Sequence, residues 1–214
     1  MSVNNWDWSS FFGSAEGLKW NRKEIPVLEE IMSMVADKGV VVQAGANLGI
    51  FPKRLAMDFK TVYTFEPEPM LFQVVCRNAR ETNIIKFQAA LGCDRQLIGM
   101  SRKRRQNDGG VSHEGISHVS GDGVIPTLQI DDLGLKKCDL IYLDIEGYEL
   151  YAIRGAINTL RECRPLVALE VNKSLEQMGG ITRDDIHSFM RLMEYDFVKK
   201  IRSDEVFKPR EKIR

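Results

Sequence analysis

Apolar positions along the chain follow two alternating rhythms. Val40-Val41-Val42-Gln43, Thr61-Val62-Tyr63-Thr64-Phe65 and Ile84-Ile85-Lys86-Phe87-Gln88-Ala89 are short runs rich in β-branched and aromatic residues, which read as strands. Apolar residues at helical spacing flank them: Val27, Leu28, Ile31, Met34 and Val35 before the first run, and Met70, Leu71, Val74 and Val75 after the second. Pro26 is placed to open the first helix, which ends near Gly39, and a helix-compatible segment runs from Ile50 to Asp58. Residues 93–126 break the rhythm, and a loop of that length predicts short antiparallel strands, Leu97 to Ser101 and Thr127 to Ile130, around a flexible tip.

Regularity resumes at Leu140-Ile141-Tyr142-Leu143-Asp144, followed by Leu150, Ile153, Ile157 and Leu160 at helical spacing and a strand from Leu166 to Val171. Thr182 and Asp185 form a capping pair for a last helix whose core face is Ile186, Phe189, Met190 and Met193. Phe197 to Ile201 and Glu205 to Lys208 suit a terminal hairpin. Strands alternating with helices predict an α/β domain with a mostly parallel sheet and right-handed crossovers. Residues 40–214 form this domain, with an insertion at about 93–126, and residues 1–39 supply an N-terminal arm and helix packed on the core. The arm carries Trp6, Trp8, Phe11, Phe12 and Trp20, which suit packing better than a substrate mouth.

Composition narrows the function classes. Thirty Lys+Arg balance thirty Asp+Glu, which argues against bulk nucleic acid or an anionic membrane as the main partner. Cys76, Cys93, Cys138 and Cys163 are too far apart for a zinc knuckle or a redox pair, and read as buried free thiols of a reducing compartment. No apolar run is long enough to span a bilayer, and the N-terminus lacks the pattern of a secretion signal, so a cytoplasmic location is expected.

Candidate chemistry gathers where strands end. Ala44-Gly45-Ala46-Asn47-Leu48-Gly49 is a turn of small residues between the first strand and its helix, where backbone can approach a ligand closely. Asn47 tolerates the left-handed region. Glu66 ends the second strand, 21 residues after Gly45, where a nucleoside-binding fold places an acid for two ribose hydroxyls. Asp144-Ile145-Glu146-Gly147-Tyr148-Glu149 brings three carboxylates after an apolar strand, although Glu149 also suits the favourable field of a helix N-terminus. Glu170 and Asn172 sit at the next strand tip. Such convergence points to a general base for a hydroxyl or to a divalent metal site. His113 and His118 read as loop histidines, His187 as structural, and Arg102-Lys103-Arg104-Arg105 as a solvated run.

These stretches, Val42 to Gly49, Phe65-Glu66-Pro67, Ala90-Leu91-Gly92, Leu143 to Glu149 and Gly155-Ala156, together resemble the FkbM family of methyltransferases in order and spacing. The resemblance implies a single Rossmann-like domain with a seven-stranded, mostly parallel sheet, helices on both faces and an antiparallel C-terminal strand. It implies S-adenosylmethionine (SAM) as cofactor and methyl transfer to a hydroxyl of a sugar, nucleotide sugar, glycan or other small metabolite. Gln43, Gly45, Ala46, Asn47, Gly49, Glu66, Ala90 and Asp144 would then line the cofactor, and Asp144, Glu146 and Glu170 are the candidates for catalysis. No metal ligand is expected. The family usually has an acid where this chain has Gln43. Methylation of nucleic acid or protein, and a non-catalytic SAM-binding interaction module, are the alternative readings.

Overall fold

The computed structural model describes residues 15–103, 116–119, 121–172 and 181–211. Its centre is a seven-stranded sheet of β1 (Val40–Ala44), β2 (Thr61–Phe65), β3 (Ile84–Phe87), β9 (Leu140–Leu143), β10 (Leu166–Glu170), β11 (Tyr195–Ile201) and β12 (Asp204–Pro209). The order is β11-β12-β10-β9-β1-β2-β3. Five strands run parallel, and β12 lies antiparallel between β10 and β11. The chain moves outward from β1 through β2 to β3, then returns to β9 on the other side of β1. That reversal leaves a crevice at the carboxyl ends of β1 and β9.

Both faces of the sheet are covered, so the inner strands are apolar throughout rather than alternating. One face buries Val42, Ala44, Phe65, Ile141, Leu143, Val167 and Leu169 under α4 (Glu149–Arg154), α5 (Ile157–Glu162) and α6 (Arg183–Leu192). The other buries Val41, Val62, Tyr142, Ala168 and Val206 under α1 (Ala15–Ser33), α2 (Ile50–Leu55) and α3 (Pro69–Asn78). The expected fold class is therefore the observed one. The capping pair is present too: the Thr182 hydroxyl accepts from the N–H of Asp185, whose carboxylate accepts from the N–H of Thr182.

Several boundaries differ from expectation, each for a local reason. Pro26 lies inside α1, which begins at Ala15. The proline forfeits one helical hydrogen bond, while the buried side chains of Val27, Leu28, Ile31 and Met32 hold the helix on the sheet. Met70 in α3 is exposed, not part of the core. The helix expected after β9 is two short helices, because Gly155 packs against Gly92: a Cβ there would lie 2.0 Å from the Gly92 carbonyl oxygen. Of the cysteines, only Cys138 is buried and Cys76 is exposed, and all four are free.

The third run is shorter than expected. Ile84–Phe87 joins the main sheet, and Ala90–Leu91, just beyond the expected strand, is β4 of a small sheet with β5 (Leu97–Ile98) and β8 (Ile125–Leu128). Antiparallel pairing in the insertion occurs as expected, between β5 and β8 and between β6 (Met100–Lys103) and β7 (Ile116–Val119). Its second strand ends at Leu128 because Ile130–Leu133 is a 3-10 turn closed by Gln129 and Asp132. Arg104, Arg105, His113 and the tip of the insertion lie outside the described residues, as do Trp6, Trp8, Phe11 and Phe12.

Candidate active site at the carboxyl ends of the strands

The turn after β1 is fixed from two sides. Gly45 has φ +84, and a Cβ there would fall 1.8 Å from the carbonyl oxygen of Asp144, so only glycine lets the tips of β1 and β9 meet this closely. Asn47 adopts the left-handed conformation at φ 47 and is exposed. The N–H groups of Gly45 and Ala46 both donate to the carbonyl of Phe65, at 3.1 Å each. Those two donors therefore face β2 and not the crevice. Asn78 of α3, which the sequence pattern does not mark, donates to the carbonyl of Leu48 at 2.7 Å and steadies the far end of the turn.

Glu66 follows β2 and is only 5% exposed. Its Oε2 accepts from the N–H of Asn47 at 2.7 Å and its Oε1 from the N–H of Glu68 at 3.0 Å. The acid is thus the clasp of the Gly45–Gly49 turn. A carboxylate has about four acceptor positions, so these two donors do not by themselves fill it. Gln43 is fully buried at 0% exposure: its Oε1 accepts from the Thr64 hydroxyl, and its Nε2 has no partner among the described residues. Ala90 is buried in β4, paired with Thr127.

Asp144, Glu146 and Glu170 come together. Each offers an oxygen, and no two of the three oxygens are more than 4.8 Å apart. Register explains the meeting, because Leu143 of β9 pairs with Leu169 of β10, so Asp144 and Glu170 follow side by side. Glu146 reaches the group through a left-handed backbone at φ 56, with Gly147 next at φ 104. Burial pushes the Asp144 carboxyl well above the usual range, helped by the charge of Glu170 and a hydrogen bond to it, then by Glu146 and Asp204.

Two acids prove more important than the sequence indicates. Glu149 is 0% exposed at the start of α4. Its Oε1 accepts from the N–H groups of Ile145 at 2.9 Å and Gly147 at 3.3 Å, and burial raises the carboxyl to about 8 despite those bonds. It therefore staples the loop that carries Glu146, and is no solvated helix-terminal acid. Asp204 opens β12 directly opposite Glu170 and is 3% exposed. Burial, then the charge of Glu170, raises it to about 7, and the Tyr142 hydroxyl donates to it. The only sign of it in the sequence is the acidic pair Asp204-Glu205 inside an otherwise strand-like run.

His187 is structural, as expected. Its Nε2 lies 2.6 Å from Oε2 of the buried Glu205, which also takes a 2.7 Å bond from Arg183. No helix among the described residues is long and apolar enough to cross a membrane.

Known structures share this architecture. A methyltransferase FkbM from Methylobacillus flagellatus KT superposes with a TM-score of 0.51 at 19% identity, over 78% of this chain and 42% of that one. The chain thus spans less than half the length of that relative. A SAM-dependent methyltransferase from Aquifex aeolicus matches with a TM-score of 0.52 at 9% identity, over 95% and 98% of the two chains. A ribosomal protein L11 methylase from Lactobacillus delbrueckii subsp. bulgaricus matches with a TM-score of 0.51 at 12% identity, over 89% and 79%. At these identities the likeness is one of fold. No curated protein matches the sequence. The family model of the methyltransferase FkbM domain, however, matches residues 43–198, most of the chain, and the protein therefore belongs to the FkbM family of SAM-dependent methyltransferases.

Proposed function

We propose that this chain methylates a hydroxyl oxygen of a sugar or another small hydroxylated metabolite. The observation that carries the reading is the cluster of Asp144, Glu146 and Glu170 beside the Gly45 turn. When bound, SAM supplies an activated methyl on a cationic sulfur. What remains for the protein is alignment and removal of the hydroxyl proton. Asp144 is the group for the proton, because its surroundings raise its proton affinity well above that of a free carboxylate.

The residues of the crevice fit the cofactor. Glu66 is the carboxylate for the ribose hydroxyls, next to the turn that it clasps. Gly45, Ala46, Asn47 and Gly49 allow close approach, and Ala90, in β4 of the small sheet, is the candidate for the adenine. Gln43 cannot neutralise the ammonium of the methionyl end, and the carboxyls of Glu66 and Asp144 lie two positions beyond its strand neighbours Thr64 and Tyr142.

The test is a methyl-transfer screen over sugars, nucleotide sugars and glycans, reading the methylated product by mass spectrometry. An O-methyl ether on a hydroxylated acceptor is expected. Transfer only to nitrogen, carbon or nucleic acid would overturn the acceptor class. Glu66→Ala should weaken SAM binding by ~10-fold or more in calorimetry, since it removes the ribose acceptor and the clasp of the turn together. Unchanged affinity would remove Glu66 from the cofactor site.

A further inference from the structure

We infer that Arg183 and Lys200, seated together on the buried carboxylate of Glu205, bind a phosphoryl group carried by the methyl acceptor. The acceptor is then a sugar phosphate or a nucleotide sugar. That identity rests on the methyl-transfer reading, whereas the phosphate binding itself does not.

Glu205 of β12 has no exposed surface. Its Oε1 accepts from Arg183 Nε at 2.7 Å and from Lys200 Nζ at 3.4 Å, and its Oε2 lies 2.6 Å from His187 Nε2. Burial pushes the carboxyl up, but the bonds from Arg183 and His187 outweigh it and hold the group below its usual range. One cation would neutralise this carboxylate. Arg183 and Lys200 bring two positive charges to its single negative one, and neither makes another ion pair among the described residues. The surplus charge is not needed to keep Glu205 buried.

Both cations stay open to solvent, with side chains 51% exposed at Arg183 and 45% at Lys200. Sharing one oxygen keeps Arg183 Nε and Lys200 Nζ within ~6 Å of each other. Arg183 spends only its Nε on Glu205, and its guanidinium carbon lies 5.6 Å from the centroid of the Phe197 ring. The guanidinium is thus held in place while its two Nη groups keep their donors among the described residues. Lys200 spends its other printed bond on the carbonyl of Val171 at 3.3 Å and keeps a third donor. A fixed guanidinium with an ammonium beside it suits an anion with several oxygens, such as a phosphoryl group. Arg183 and His187 are four residues apart on α6 and share a face, whereas Asp184 lies about 100° round the helix and Asp185 is bonded to Thr182.

The pair stands at the end of the sheet that carries the candidate catalytic acids. β10 and β11 both run antiparallel to β12, so Lys200 lies at the carboxyl end of β11, beside Arg183 at the start of α6. Val171, which accepts the Lys200 bond, directly follows Glu170. One or two strand spacings, ~5–10 Å, separate this point from the end of β9 and Asp144. A single phosphorylated sugar bridges that span, with its phosphate on Arg183 and Lys200 and a ring hydroxyl at Asp144.

The experiment titrates the full chain with inorganic phosphate, without SAM, and follows binding by phosphorus NMR. Saturable binding at one site is expected. Lys200→Gln and, separately, Arg183→Gln should each weaken it by ~10-fold or more. Lys200→Gln leaves Arg183 and His187 on Glu205, which keeps the fold, and circular dichroism checks both variants. Lys199→Gln removes the same charge from the same strand away from Glu205, and should leave phosphate binding unchanged. Absence of saturable binding, unchanged affinity in either folded variant, or an equal loss in Lys199→Gln overturns the site. Methyl transfer is then compared between a sugar phosphate and the same sugar without its phosphate. The phosphorylated acceptor should show the lower KM, and Lys200→Gln should raise that KM by ~10-fold while kcat holds. Equal KM for the two acceptors gives the site to free phosphate and overturns the acceptor role. Phosphate binding without methyl transfer to any acceptor upholds the anion site and removes the methyl-transfer reading. Methyl transfer without phosphate binding does the reverse.

Discussion

Glu149→Gln removes a titrating group while keeping its shape, and the structure fixes the sign of its effect. The wild-type carboxyl is fully buried, with Oε1 serving the N–H groups of Ile145 and Gly147 and Oε2 without a partner among the described residues. Its pKa is about 8 in the folded protein against 4.5 for the free group. Below pH 4.5 both folded and unfolded chains hold the proton. Above it the unfolded chain releases the proton first, so the folded state becomes relatively less stable as pH rises, until the pH passes about 8. One proton of difference corresponds to ~1.4 kcal/mol per pH unit, which over this interval gives a ceiling of about 4–5 kcal/mol. Glutamine keeps an oxygen for the two N–H groups and places an amide where Oε2 was. Near pH 5 the variant should match the wild type or fall below it by ~1–2 kcal/mol, the cost of a buried unpaired amide. By pH 8 it should be the more stable of the two. Urea unfolding in metal-free buffer between pH 5 and 8 measures this, with an unchanged m-value as the check on two-state behaviour. Parallel stability curves for the two proteins would refute a carboxyl that stays protonated in the fold.

Three further substitutions test separate links. Gly45→Ala places a Cβ 1.8 Å from the Asp144 carbonyl at φ +84; the left-handed backbone alone costs ~1–2 kcal/mol, so calorimetry should show a clear drop in Tm, and a wild-type Tm would mean the strand tips are not held this close. Thr182→Ala removes the cap of α6 and should cost ~1 kcal/mol in urea unfolding; no change would show the capping box to be idle. Asp144→Asn should slow methyl transfer by ~100-fold or more, and wild-type turnover would exclude Asp144 from handling the proton.

The sheet was legible because its inner strands are buried on both faces. Val40 to Ala44, Leu140 to Leu143 and Leu166 to Glu170 have few polar positions that could suit another element. Boundaries were less legible wherever packing between distant segments decided them. Nothing local to Leu150–Leu160 announces that Gly155 must lie against Gly92, and that contact is what divides the helix. Pro26 carries a strong local preference for a helix start, yet α1 runs through it, because one missing hydrogen bond is outweighed by the apolar side chains that follow.

The site was legible where its residues are contiguous and obscure where register assembles them. Asp144 and Glu146 lie in one motif, and Glu170 ends the next strand. Asp204 joins them only because β12 inserts antiparallel against β10, a pairing no spacing in the sequence encodes. The same register gives Gln43 a physical sense. It lies between Thr64 and Tyr142, fully buried, on the sheet face that carries Asp144, Glu170 and Asp204 one step further along. A carboxylate at position 43 would add another buried charge of the same sign to that face. With an amide there, Oε1 is satisfied by Thr64 at no cost in charge. In this chain, the acidic groups at the mouth of the crevice follow β9 and β2 or end β10, and the end of β1 carries an amide.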